Sequence, residues 1–333
     1  MSLPDAIPLN AVIDRDALSD GRARFREILS AVNTARGADL PDTRPTADIL
    51  LTLGDEPPAE EAGTPVEVDA RLDGVNVVAV PGFLAECIDF FAPTLADALK
   101  HLENLGARTS IAPLAGRGDC AENARRLKAH LHSLDPQGGP TILVPMSKGT
   151  PDTLEMFDLY PETIERVDAV VSLVGCVCGS PLKYMAPEWL KWIERNLPMP
   201  SCARFGGTAV VSLSPHTRCS FLKAFEMPDT VKVYSLGAVA DAGRMSRGMM
   251  QAYRALTQIH PLNDGQMLLQ DQILPKATYL GTLNCDHVAT GMPFNRSTSL
   301  ICSALTRLFL NHNAFPREVM LEAAVRQVLE DLG

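Results

Sequence analysis

From residue 75 onward the chain alternates short β-branched runs with amphipathic stretches, and this rhythm restricts the fold more than any other feature. The runs are Val75–Val80, Thr109–Ala112, Thr141–Val144, Val167–Leu173, Val231–Leu236 and Thr278–Thr282. All are apolar, and most end in Pro, Gly or a polar turn residue. Between them, helical periodicity covers Ala85–Leu105, Cys120–Leu134, Thr150–Tyr160, Ser246–Ile259 and Pro316–Leu332. Strands alternating with helices predict an α/β fold with a doubly wound, mostly parallel sheet. A content of 46% hydrophobic but only 5% aromatic residues suits buried parallel strands.

The rhythm breaks once, at residues 179–227. This insert holds Trp189 and Trp192 in "PEWLKWIERNL", several Pro and Gly residues, and a second helical piece around Thr217–Phe225. A long insert over one end of a sheet predicts a mainly helical lid within a core spanning 71–333. Residues 1–70 read as an acidic N-terminal arm, with 14 acidic and six basic side chains against a net charge of -10 for the whole chain. Within the arm, Arg22–Val32 reads as a helix and "DEPPAEEAGTPVEVD" as a solvated linker. The runs at 47–53 and 66–72 are candidate outer strands.

Several classes are excluded as expectations. No basic stripe points to nucleic acid. Residues 1–20 lack the pattern of a secretory signal, and no apolar run has the length of a membrane span. The eight cysteines form no close, regular framework, so reduced thiols in a cytoplasmic protein are expected. Cys176-Val177-Cys178 has no second ligand pair nearby and reads as buried thiols, not a metal site.

The chemistry centres on "ILVPMSKGTPDTLEMF", residues 142–157. A strand, a tight turn and a helix are the setting of a nucleophile elbow, with Ser147 at the carboxyl edge of the sheet. Gly149 lets the helix start close beneath the turn, and Pro151 fits its first turn. A serine at this point also suits a plain helix cap. As nucleophile it needs a base. Of seven histidines, His287 alone follows the last predicted strand, on the same edge as Ser147. Asp264, in an Asn-Asp-Gly turn, is a candidate to orient the imidazole, with Asp241, Asp271 and Asp286 as rivals. Two backbone N–H groups would hold an oxyanion, from Lys148 and from Phe83 in the Pro81–Leu84 loop, where Gly82 permits close approach.

These pieces resemble the α/β-hydrolase fold family. "VVAVPGF", "ILVPMSKGTPDTLE", "VVSLVGCVCGSPL", "LNDGQMLL" and "NCDHVATGMPF" occur in family order and cover roughly residues 70–333. "NDG" before a later "DH" is similar to the ends of bacterial lipase and esterase chains, which favours Asp264 over Asp241. The resemblance implies a Ser147–His287–Asp264 triad, no catalytic metal, no organic cofactor, and hydrolysis of an ester or thioester. Pro145 departs from the first glycine of G-x-S-x-G, and Pro-Gly-Phe departs from the H-G oxyanion loop common in lipases.

The expected substrate is a small acyl compound, lipid-like or carrier-bound, met by Tyr184, Met185, Trp189 and Trp192 of the insert. Acyl transfer or cyclisation on the same scaffold, or a non-catalytic binding protein, are the alternatives. The oligomeric state is left open.

Overall fold

The computed structural model describes residues 3, 5–54, 65–135, 139–185 and 208–333. Both tryptophans and most of the Pro/Glu-rich linker lie outside these. Eight strands form one sheet: β1 (Ser19–Asp20), β2 (Leu50–Leu51), β3 (Asn76–Val80), β4 (Arg108–Ile111), β5 (Thr141–Pro145), β6 (Ala169–Leu173), β7 (Lys232–Val239) and β8 (Thr278–Asn284). The order is β1-β8-β7-β6-β5-β3-β4, with β2 also paired to β8. Every pairing is parallel except β2 with β8.

Side-chain alternation divides the core between the two faces of the sheet. Val77 and Ala79 of β3, with Ile142 and Val144 of β5, join the helices Arg22–Arg36, Ala96–Asn104 and Arg317–Leu332 on one face. Val78, Val80 and Leu143 join the helices Cys120–Ser133 and Gly149–Leu159 on the other. The chain that leaves β3 therefore turns to one face, and the chain that leaves the adjacent β5 turns to the opposite one. Ligands of open α/β sheets bind at such a switch point, outside the carboxyl ends of the strands.

The six predicted strands are all present, with β7 extended to Val239. Residues 66–72 form no strand. Ile7, Leu18, Phe25 and Ile28, from the acidic N-terminal stretch, are buried in the two clusters of the core. The stretch expected as one helix, Ala85–Leu105, is broken into Ala85–Ile88 and Ala96–Asn104. Pro93 cannot donate to a helical ladder. Leu95 adopts a left-handed φ of 57° and donates its N–H to Gly291 O at 2.7 Å. The thiol expectation also needs correction: Cys120, Cys176, Cys178, Cys219 and Cys285 are free, but Cys87 is disulfide-bonded. Cysteine content therefore no longer argues for a reducing compartment. No helix among the described residues is long and apolar enough to cross a membrane.

Candidate active site

Ser147 has φ 54°, a strained value for a residue with a Cβ. Backbone bonds on both sides hold it there. Its N–H donates to Leu173 O at 3.0 Å, and its carbonyl accepts from Cys176 N at 2.9 Å and Thr150 N at 3.1 Å. The end of β6 and the "GCVCG" segment thus clamp the turn. Ser147 does not cap the following helix through its side chain: that helix starts at Gly149, its N-cap residue is Lys148, and no side-chain cap bond is made. The serine is half-buried.

Pro145 is accommodated by a gap in the ladder. Met146 donates to Val80 O on the β3 side and Ser147 donates to Leu173 O on the β6 side. By strand alternation, the N–H that Pro145 lacks would have faced β6. The β5–β6 register runs through Ile142↔Ala169 and Leu143↔Val170, lapses, and resumes at the bridge Met146↔Leu173. The proline removes one rung and leaves the turn intact.

Two glycines permit the approach of neighbouring backbone. A Cβ on Gly149 would lie 2.2 Å from Val80 O, so the helix can start against β3 only with glycine there. A Cβ on Gly82 would lie 3.1 Å from Ser147 Cβ, which places the Pro81–Leu84 loop directly against the serine. Leu84 at φ 61° turns that loop and donates its N–H to Gly116 O at 2.9 Å. Among the described residues, neither Phe83 N nor Lys148 N donates to a backbone acceptor.

Asp264 and His287 meet. His287 Nδ1 lies 2.7 Å from Asp264 Oδ2, and both side chains are buried. A carboxylate can only accept, so Nδ1 carries the proton and Nε2 is left as the acceptor nitrogen. The Asn-Asp-Gly turn uses the other carboxylate oxygen: Oδ1 accepts from Gln266 N at 2.8 Å and Met267 N at 2.7 Å. Turn-forming and imidazole-facing roles therefore fall to separate oxygens of one side chain. Gly265 takes φ 87°, and Ala240 N donates to Asn263 O, which returns the turn to the end of β7.

The rivals of Asp264 are engaged elsewhere. Asp241 is exposed. Asp286 caps the helix His287–Gly291 through Ala289 N and also accepts from Ser246 N. Asp271 accepts from Asn10 Nδ2 at 2.7 Å, and burial pushes its carboxyl up to about 6. Tyr184 and Met185 are exposed on the short helix Leu182–Met185. Nearby Ser180 Oγ donates to Gln266 O at 2.6 Å, which ties the start of the insert to the Asp264 turn. Trp189 and Trp192 lie outside the described residues.

Sequence reasoning missed two supports. Arg317 is fully buried and donates to Asp97 Oδ2, Asn295 Oδ1, Asn313 O and Ala289 O, the last within the helix that His287 begins. That helix also meets the elbow, for a Cβ on Gly291 would lie 2.4 Å from Met146 Sδ. The second is Lys148 Nζ, buried beneath the turn against Asp152 Oδ1 at 2.6 Å. A lysine–aspartate pair four apart reads from sequence as a surface pair, so no sequence signal marked its burial.

A mostly parallel sheet with a strained serine after β5, and a buried pair of His287 after β8 with Asp264 between β7 and β8, defines an α/β-hydrolase architecture, and the chain belongs to the α/β-hydrolase fold family. It is similar to the metagenomic carboxyl esterase MGS0156, with 34% identity, a TM-score of 0.90, and coverage of 98% of this chain and 97% of that one. Bacillus licheniformis lipase BlEst2 in mature form shares the fold at 24% identity and TM-score 0.51, over 74% of this chain and 93% of that one. Staphylococcus hyicus lipase shares it at 11% identity and TM-score 0.52, over 79% and 98%. No family model and no curated protein sequence matches the chain.

Proposed function

We propose that the protein is a serine hydrolase that cleaves a carboxylic ester through an acyl-enzyme. The buried His287–Asp264 pair, facing the same sheet edge as Ser147, carries this reading. Similarity over nearly the full length to a carboxyl esterase supports it independently. In this mechanism Ser147 Oγ attacks the acyl carbonyl while His287 Nε2 takes its proton. Asp264 holds the imidazole in the required tautomer and stabilises its cation. The N–H groups of Phe83 and Lys148 receive the oxyanion, and the partial positive charge at the start of the helix Gly149–Leu159 adds to them. His287 then protonates the leaving alkoxide. Water, deprotonated by His287, attacks the acyl-enzyme and releases the acid and free Ser147.

In this reading the exposed Tyr184 and Met185 supply an apolar rim for a lipid-like acyl chain. A fluorophosphonate probe tests the assignment. Wild type is expected to take one label, mapped by peptide mass to Ser147, and Ser147→Ala none. An unlabelled wild type, or a labelled Ser147→Ala, refutes it.

A further inference from the structure

Lys148 Nζ and the Asp152 carboxylate are both buried and meet at 2.6 and 2.8 Å. Asp152 Oδ2 also accepts from Asn123 Nδ2 at 2.7 Å. Asn123 in turn is bonded twice to Ala115: its Nδ2 donates to Ala115 O at 3.1 Å, and its Oδ1 accepts from Ala115 N at 2.9 Å. The next residue, Gly116, accepts the N–H of Leu84 through its carbonyl. Gly116 lies so close that a Cβ there would be 2.9 Å from Leu84 Cα. One continuous polar path thus runs from the residue after Ser147, through the interior, to the residue after Phe83.

Burial of an ion pair is a poor route to stability, because desolvation offsets the attraction and apolar residues of similar volume do as well. A fully hydrogen-bonded buried network does, however, define one geometry. The two ends of this path are the two loops whose N–H groups receive the oxyanion in the proposed mechanism. Oxyanion stabilisation demands donors held in place before reaction.

Resting on that reading, we propose that Lys148, Asp152 and Asn123 are positioning residues that set the spacing and direction of the Lys148 and Phe83 N–H donors. The side chain of Lys148 fixes the peptide that carries its own N–H. Asn123 fixes the 115–118 loop, on which the Phe83–Leu84 segment rests.

The test uses the charge-free pair Lys148→Met with Asp152→Leu, which leaves no unpaired buried charge, and Asn123→Leu, which cuts the path at its second link. Each is compared with wild type for thermal unfolding, ester kinetics, affinity for a trifluoromethyl ketone, and the infrared stretch of the acyl carbonyl. Misdirected donors are expected to lower kcat about 10–100-fold, less than outright loss of a donor. KM is expected to stay near wild type. Ketone affinity should fall in parallel with kcat, and the acyl carbonyl stretch should move to higher frequency as its hydrogen bonds weaken. A merely structural role would lower the unfolding temperature without moving ketone affinity or the carbonyl stretch, and that result overturns the proposal. If one variant does not fold, the other decides. Wild-type labelling at Ser147 is scored first, so failure of the hydrolase reading is distinguished from failure of the brace.

Discussion

Two buried histidine–carboxylate pairs share nearly the same contact. His287 Nδ1 lies 2.7 Å from Asp264 Oδ2, and His101 Nε2 lies 2.6 Å from Glu322 Oε2. Their surroundings differ. Glu322 also receives Arg36 Nε and Arg326 Nε, and Arg326 continues to the carbonyls of residues 67, 68 and 70. Burial pushes the Glu322 carboxyl up, but bonds from His101, Arg36 and Arg326 outweigh it and hold the group below its ordinary value. Asp264 receives two backbone N–H groups and, among the described residues, only His287 as an ionisable partner. A carboxylate already matched by two guanidinium groups has little left to offer an imidazolium. Asp264 has backbone N–H donors and, among the described residues, no guanidinium beside its histidine. The partners of the carboxylate, more than the length of the contact, separate a tie between chain segments from the pair proposed to be catalytic.

The largest expected effect breaks the comparison at the histidines. His287→Ala should lower kcat by about 10⁴–10⁶, whereas His101→Ala should leave activity per folded molecule unchanged. Ester turnover normalised to the folded fraction checks this, and a comparable loss in both variants would erase the distinction. Stability should rank the pairs in the opposite order. Glu322→Gln removes the charge that matches Arg36 and Arg326 and should cost about 3–5 kcal/mol by urea unfolding. Equal stability of wild type and Glu322→Gln would show that the cluster ties nothing.

Asp271 sharpens the series, as a buried carboxyl whose hydrogen-bond donor is an amide. Its value of about 6 lies above the ordinary 3.8, so the folded protein binds this proton more tightly than the unfolded chain. Its stabilising contribution is complete below about pH 4 and is lost as pH rises through about 6. Asp271→Asn should flatten the stability–pH curve there, by at most about 3 kcal/mol. An unchanged slope in the variant would show that Asp271 does not titrate as inferred.

The smallest effect expected is from Gly82→Ala. Its Cβ would crowd Ser147 without a backbone clash under 3.0 Å. Turnover should fall by about 10-fold, since small misplacement of reacting groups is costly in rate. Wild-type kinetics in this variant would place the loop farther from the reaction than proposed.

Much of the sheet was legible because each β-branched run is short and closed by a turn residue. Ser147 and His287 were legible for the same reason, since both follow strands. Asp264 was legible as a turn residue, but the division of labour between its two oxygens was not. The break before Ala96 was hidden because Leu95 spends its N–H on Gly291, far along the chain. Lys148 and Asp152 carry the spacing of a solvated pair. Their buried partner is Asn123, which no local pattern connects to them.

Asp264 is proposed as the partner that makes His287 a base. Steady-state kinetics of Asp264→Asn and Glu322→Gln on one ester, each corrected for folded fraction, test it most directly. The predicted result is a loss of about 10³–10⁴ in kcat for Asp264→Asn, with no change for Glu322→Gln. Equal activity of the two variants would contradict it.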